Sequence, residues 1–102
     1  MARYACIWEL RIAPSCADEF GQHCGAAGTW AHLFRRSKGF VETQLLRDSD
    51  DPLRYVIIDR WESAERCSKF RSQYTLEYEE LDARCEALTI EERNPGNVIE
   101  VA

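Results

Sequence analysis

Residues 4 to 12 alternate along the chain. Tyr4, Cys6, Trp8, Leu10 and Ile12 fall on one face, and Ala5, Ile7, Glu9 and Arg11 on the other, the period of two that defines a strand. Pro14 ends this segment, and Ser15 with Asp18 has the spacing of a capping box for a helix over about 16 to 24 that places Ala17, Phe20 and Cys24 on a common face. Gly25 and Gly28 interrupt the chain. Thr29 is then the expected cap of a second short helix, with Trp30, Leu33 and Phe34 at the i, i+3, i+4 spacing of a buried stripe, and Gly39 is its stop. Strands are expected over about 40 to 47 and 53 to 61, joined by the turn formers Asp48, Ser49, Asp50, Asp51 and Pro52 as an antiparallel hairpin. YVIID, the most apolar stretch, is expected in the centre of the sheet. Ser63 caps a long helical region in which Cys67, Phe70, Tyr74, Leu81, Cys85 and Leu88 recur at steps of three, four or seven, with a break expected between Ser72 and Thr75. A last strand fits either 88 to 93 or 98 to 101, with a turn at Asn94, Pro95, Gly96 and Asn97 between the two candidates.

The resulting order, βααββαβ, is that of a ferredoxin-like split βαβ sandwich: an α+β fold with a four-stranded antiparallel sheet covered on one face by helices. The 102 residues form a single domain, with a core over about 4 to 93 and a tail over 94 to 102. Apolar residues nevertheless occupy both sheet faces, with Trp8, Leu10, Tyr55, Ile57 and Trp61 on one parity and Ile7, Leu45, Val56 and Ile58 on the other. A second copy of the same sheet is the simplest cover for the uncovered face, which gives a homodimeric α+β barrel. A chain of this size buries only roughly 60 to 70% of its unfolded surface, a further motive to pair.

Charge and cysteines narrow the setting. The net charge of -5 and pI near 5.0, with arginines interspersed among carboxylates, argue against nucleic acid as a partner. No apolar run approaches the roughly 18 residues of a membrane span, and the opening MARYACIWELRIAP lacks the apolar core of a signal peptide, so a cytoplasmic protein is expected. The five cysteines contain no C-x-x-C pair. On the expected helices Cys16 and Cys24 stand about 12 Å apart and Cys67 and Cys85 about 27 Å apart, too far to bridge, so five free thiols are expected. There is no G-x-G-x-x-G and no clustered metal-ligand set, so no cofactor or metal is expected.

The residues Trp30, Leu33, Phe34, Arg35, Gly39, Phe40, Thr43, Leu45, Leu46, Arg47, Asp48, Pro52, Arg54, Tyr55, Ile58, Asp59, Trp61, Ser63 and Phe70 carry a resemblance to the antibiotic biosynthesis monooxygenase domain family of the dimeric α+β barrel superfamily, over about residues 4 to 93. That resemblance implies cofactor-independent oxygenation of an electron-rich aromatic or polyketide-like molecule, such as an anthrone, by dioxygen. The protein's part in such a reaction is a dry aromatic pocket, a proton acceptor and a donor that favours the substrate anion. Haem-degrading relatives use an Asn on the first strand and a Trp and a His on the later helix; Trp8, Phe70 and Glu80 stand at the corresponding positions, and the axial His is missing.

Among individual residues, His23, near the end of the first helix, is the candidate catalytic base because imidazole titrates near neutral pH; its structural alternative is a contact with the helix C-terminal carbonyls. His32 lies off the buried stripe. Trp8, Trp30, Phe34, Tyr55, Trp61, Phe70 and Tyr74 are the candidate substrate pocket, and the same residues are the obvious core. Arg47 and Arg60 are candidate anion holders, or pair with Glu9 or Glu42 across the dimer. The rival functions are a non-catalytic dimer that binds a hydrophobic small molecule and a purely structural dimer.

Overall fold

In the computed structural model, which describes residues 3–101, the alternating segment forms β1 (Tyr4–Ile12). A 3-10 turn (Pro14–Cys16), α1 (Ala17–Cys24) and α2 (Thr29–Phe34) follow. The hairpin is β2 (Phe40–Arg47) and β3 (Arg54–Trp61), the long helical region divides into α3 (Ala64–Gln73) and α4 (Thr75–Glu86), and β4 (Thr89–Ile99) completes the sheet. The four strands are antiparallel in the order β2-β3-β1-β4, so the two strands richest in apolar residues are central and all helices lie on one face. Among the described residues no helix is long and apolar enough to cross a membrane.

The cap expected at Ser63 forms, its Oγ accepting the Arg66 N–H at 3.2 Å. The one at Ser15 does not: Pro14 opens a 3-10 turn, Cys16 takes the cap position and no side chain bonds there. Likewise Gly28 caps α2, while Thr29 is its first residue and turns its hydroxyl to Gln22 and His23. The helical break falls at Tyr74 (φ -116°, ψ 35°).

Two bulges depart from the sequence pattern. Leu45, expected on the uncovered face, packs with the helix-side core opposite Ile57, and Leu46 takes the outer face instead. The reason is a register shift between Phe40 and Glu42, where the extra residue Val41 inverts the parity of the rest of β2. In β4, the residues expected as a turn and tail continue the strand. Between the Ile7–Gly96 and Glu9–Arg93 pairs, β4 spends one residue more than β1, which places Asn94 and Pro95 in a bulge. Proline, lacking an N–H, is tolerated at such a position on an edge strand.

The core is aromatic. Phe34, Phe40, Trp61 and Phe70 pack with ring centroids 5.1 to 5.4 Å apart, and Trp61, Phe20, Phe70 and Ile12 are the largest fully buried side chains. Gly39 leads the chain into this cluster at φ +96°, and a Cβ there would stand 2.6 Å from Arg66 Cβ and Cγ. Gly39→Ala should therefore destabilise the fold by at least about 1 to 2 kcal/mol, read as a lower urea midpoint at unchanged slope.

Candidate active site

Asp59 is the one carboxylate on the helix-facing side of β3, in the parity series Tyr55, Ile57, Asp59, Trp61. It is 7% exposed. Its register partner on β2 is Thr43, itself buried, whose hydroxyl donates to Asp59 Oδ1 at 2.8 Å. The two polar side chains open onto a cavity of about 50 Å³ between sheet and helices, enclosed by Trp8, Cys24, Trp30, Phe34, Ile57 and Tyr78.

The electrostatics of this cavity follow from burial. Removing the Asp59 carboxyl from water penalises its charged form and raises its pKa from 3.8 to about 6, with the Thr43 hydrogen bond opposing the shift only in part. Its ionisable surroundings are the thiols of Cys6, Cys24 and Cys67 and the phenol of Tyr78, none of them a cation. Burial likewise pushes the Tyr78 phenol up to about 12, so at neutral pH it keeps its proton as a hydrogen-bond donor; Arg71 lies 4.0 Å from the centre of its ring. The cavity thus pairs a carboxyl titrating just below neutrality with a phenol that stays protonated, a combination suited to taking a proton while favouring an anion.

Of the seven aromatic residues selected from the sequence, Trp8, Trp30 and Phe34 line this cavity. Trp61 and Phe70 lie behind it in solid core, Tyr55 packs tilted against Phe20 with ring centroids 5.0 Å apart, and Tyr74 donates its hydroxyl to the Arg36 carbonyl at 3.1 Å. His23 is not among the lining residues; its Nδ1 lies 3.0 Å from Thr29 Oγ1 on the outer side of the α1–α2 junction. His32 is exposed, in a separate groove between α2 and α4 with Arg36, Glu77, Glu80 and Arg84. Arg47 is exposed at the end of β2. Arg60 lies on the uncovered sheet face, bonded to Gln44 at 2.6 Å and Glu100 at 3.1 Å and paired with Glu42 at 3.7 Å within its own chain, while Glu9 pairs with Arg93 at 2.8 Å. Among the described residues, no three His, Cys, Asp or Glu side chains converge as a metal site. Sequence reasoning passed over Asp59, Thr43, Cys24 and Tyr78 as site residues. The available signal was parity, an aspartate on the core side of an otherwise apolar strand beside a threonine on the core side of the next.

Fold and cavity together define a small α+β domain whose antiparallel sheet and helical layer enclose an aromatic-lined site around a buried acid. The profile of the antibiotic biosynthesis monooxygenase family matches residues 3–74, from β1 through α3, and the chain belongs to that family. No curated protein sequence matches it. Among solved structures it is similar to SnoaB of Streptomyces nogalater, described as a cofactor-independent oxygenase, at 19% identity and a TM-score of 0.72, covering 100% of this chain and 94% of that one. A conserved protein of Methanosarcina mazei is similar at 12% identity and a TM-score of 0.71, covering 98% and 92%. A Pseudomonas aeruginosa protein matches at 16% identity and 0.71, covering 100% and 97%.

Proposed function

We propose that this chain is a cofactor-independent monooxygenase that oxidises an electron-rich aromatic or polyketide-like molecule, with Asp59 as proton acceptor. The observation that carries this reading is a carboxyl with a pKa of about 6 inside an aromatic cavity. Family membership and the likeness to SnoaB support it. Ionised Asp59 takes a proton from the activated carbon or phenol of the substrate, and Tyr78 favours the resulting anion. The anion gives its electrons to dioxygen; one oxygen atom stays on the carbon as a carbonyl and the other leaves as water, so an anthrone goes to a quinone without a further reductant. Dioxygen uptake with an anthrone-type substrate should survive a chelator and rise with pH through about 6; dependence on added flavin or metal would refute the mechanism.

A volume of about 50 Å³ holds dioxygen or water but is far below the roughly 300 Å³ and more of ordinary ligand pockets. An aromatic substrate therefore enters only if Trp30 and Tyr78, whose ring centroids are 5.1 Å apart, separate to admit it. The small volume favours, as second reading, a dimer that holds a smaller hydrophobic molecule without chemistry. Substrate binding without dioxygen uptake would select it.

The working form in this proposal is a homodimer. The uncovered sheet face carries Ile7, Val56, Ile58, Leu46 and Val98, the last two each 44% exposed, while its charged rim is already paired within the chain. An apolar stripe with a satisfied polar rim suits an isologous contact. Sedimentation at micromolar concentration should give about twice the 11.8 kDa chain mass, and Ile58→Glu should halve it; a wild-type monomer there removes the dimer.

A further inference from the structure

A second pocket opens where the turn after α2 meets α3. It has a volume of about 320 Å³ and is lined by Arg36, Ser37, Lys38, Arg66, Lys69 and Gln73, none of which lines the cavity around Asp59. Every one of these side chains carries a hydrogen-bond donor, four of them are cations, and no carboxylate is among them. In a chain whose net charge is -5, four positive charges around one opening reverse the sign locally.

The usual reasons for surface cations account for only half of this cluster. Arg36, at the C-terminal end of α2, and Lys69, in the second half of α3, have partners in Glu77 at 3.9 Å and Glu65 at 3.1 Å, both exposed pairs. Lys38 and Arg66 have no such partner: among the described residues, no carboxylate pairs with either. Arg66 is moreover the third residue of α3, in the turn where the helix macrodipole disfavours a cation. Its stem is held in place by the turn itself. Gly39 leaves the room that the stem occupies, since a Cβ there would stand 2.6 Å from Arg66 Cβ and Cγ and 2.9 Å from Cδ. The fold thus fixes a half-buried arginine beside three other cations, at the unfavourable end of a helix and without a counter-charge. An anion in the pocket removes that repulsion.

We propose that this pocket binds a phosphate dianion, either free phosphate or the phosphoryl group of a small organic monoester, with Arg66 and Lys38 as its main charged contacts and Ser37 and Gln73 as neutral donors. Phosphate suits the lining better than a carboxylate does, because its oxygens accept from several directions at once and a guanidinium can hold two of them. A volume of about 320 Å³ falls at the lower end of the roughly 300 to 1,000 Å³ of ordinary ligand pockets, which leaves room for the organic part of a monoester. A long polyanion is disfavoured, because the surface beyond the pocket is net negative. The site shares no residue with the Asp59 cavity, so it does not depend on whether that cavity oxidises a substrate.

The test titrates the full chain, labelled with nitrogen-15, with sodium phosphate and separately with phenyl phosphate at pH 8, the ionic strength held constant with sodium chloride. The expected result is a saturable change in amide shifts concentrated in residues 36 to 39 and 66 to 73. In the double variant Lys38→Gln, Arg66→Gln the affinity should fall by about tenfold or more, while the rest of the spectrum matches the wild type. Tighter binding of phenyl phosphate assigns the site to a monoester, and equal or weaker binding assigns it to free phosphate. Four results each overturn the proposal: no saturation, the same shifts with chloride alone, shifts spread over the whole surface, or undiminished affinity in the double variant. The first three are read on the unsubstituted protein, so no variant has to fold for them to count.

Discussion

Asp59→Asn should lower turnover of an oxidisable aromatic by about 10² to 10⁴-fold and yet make the folded chain more stable at pH 8. The two effects have one origin. The folded state raises the Asp59 pKa from 3.8 to about 6, so it binds that proton more tightly than the unfolded chain does. The contribution of the protonated acid is therefore fully present below about pH 4 and is lost as pH rises through about 6; above that, a buried carboxylate opposes folding. A shift of this size corresponds to about 3 kcal/mol at most, which the neutral amide avoids while its oxygen still accepts the Thr43 hydroxyl. Urea denaturation of both proteins at pH 4 and pH 8 should show the variant ahead only at the higher pH. His23→Ala, altering a side chain that does not line the cavity, should leave turnover unchanged. Equal turnover of Asp59→Asn and wild type would take the proton-acceptor role away from Asp59.

Trp61→Ala and Trp8→Ala should separate core from cavity among the aromatic residues. Trp61 is 1% exposed and packs against Phe34, Phe40 and Phe70, so its truncation leaves a void in the best-packed part of the molecule and should cost about 3 to 5 kcal/mol. That is a large share of the roughly 5 to 15 kcal/mol that holds a domain together. Trp8 is half-buried and faces the cavity beside Asp59. Its truncation should cost less, about 0.5 to 3 kcal/mol, while enlarging the cavity and changing the affinity for an anthrone-type ligand. Denaturation midpoints and ligand titrations on the two variants check this. An equal stability loss, with ligand affinity unchanged in Trp8→Ala, would contradict the division.

The elements most legible in the sequence are those whose signals are local. Alternation from Tyr4 to Ile12, the hydroxyl of Ser63 and the positive φ needed at Gly39 each act within a few residues of themselves. What escaped the sequence depends on contacts between elements. The added residue at Val41 inverts the faces of β2 only through its pairing with β3. Pro95 reads as a turn because its tolerance in a strand requires an edge and a bulge, both properties of the sheet. In the site, Trp8, Trp30 and Phe34 were recognisable as aromatic, but the sequence offered no means of dividing cavity wall from core. Asp59 acquires its buried, hydrogen-bonded setting only from the pairing of β3 with β2, which sets it against Thr43.

The pairing of β1 with β4 brings the two ends of the described chain together, Glu100 N–H donating to the Arg3 carbonyl at 2.8 Å. Closing that ladder encircles nearly the whole chain, a loop roughly tenfold longer than the one closed by the β2–β3 hairpin, at an added entropic cost of about 2 kcal/mol. The outer strand that completes the sheet thus depends on the least local contacts of the fold, and the side chains of β4 are nearly all exposed. A topology of this kind has a high contact order, and its rate of folding is governed by how soon the remote ends meet, not by how readily the helices form.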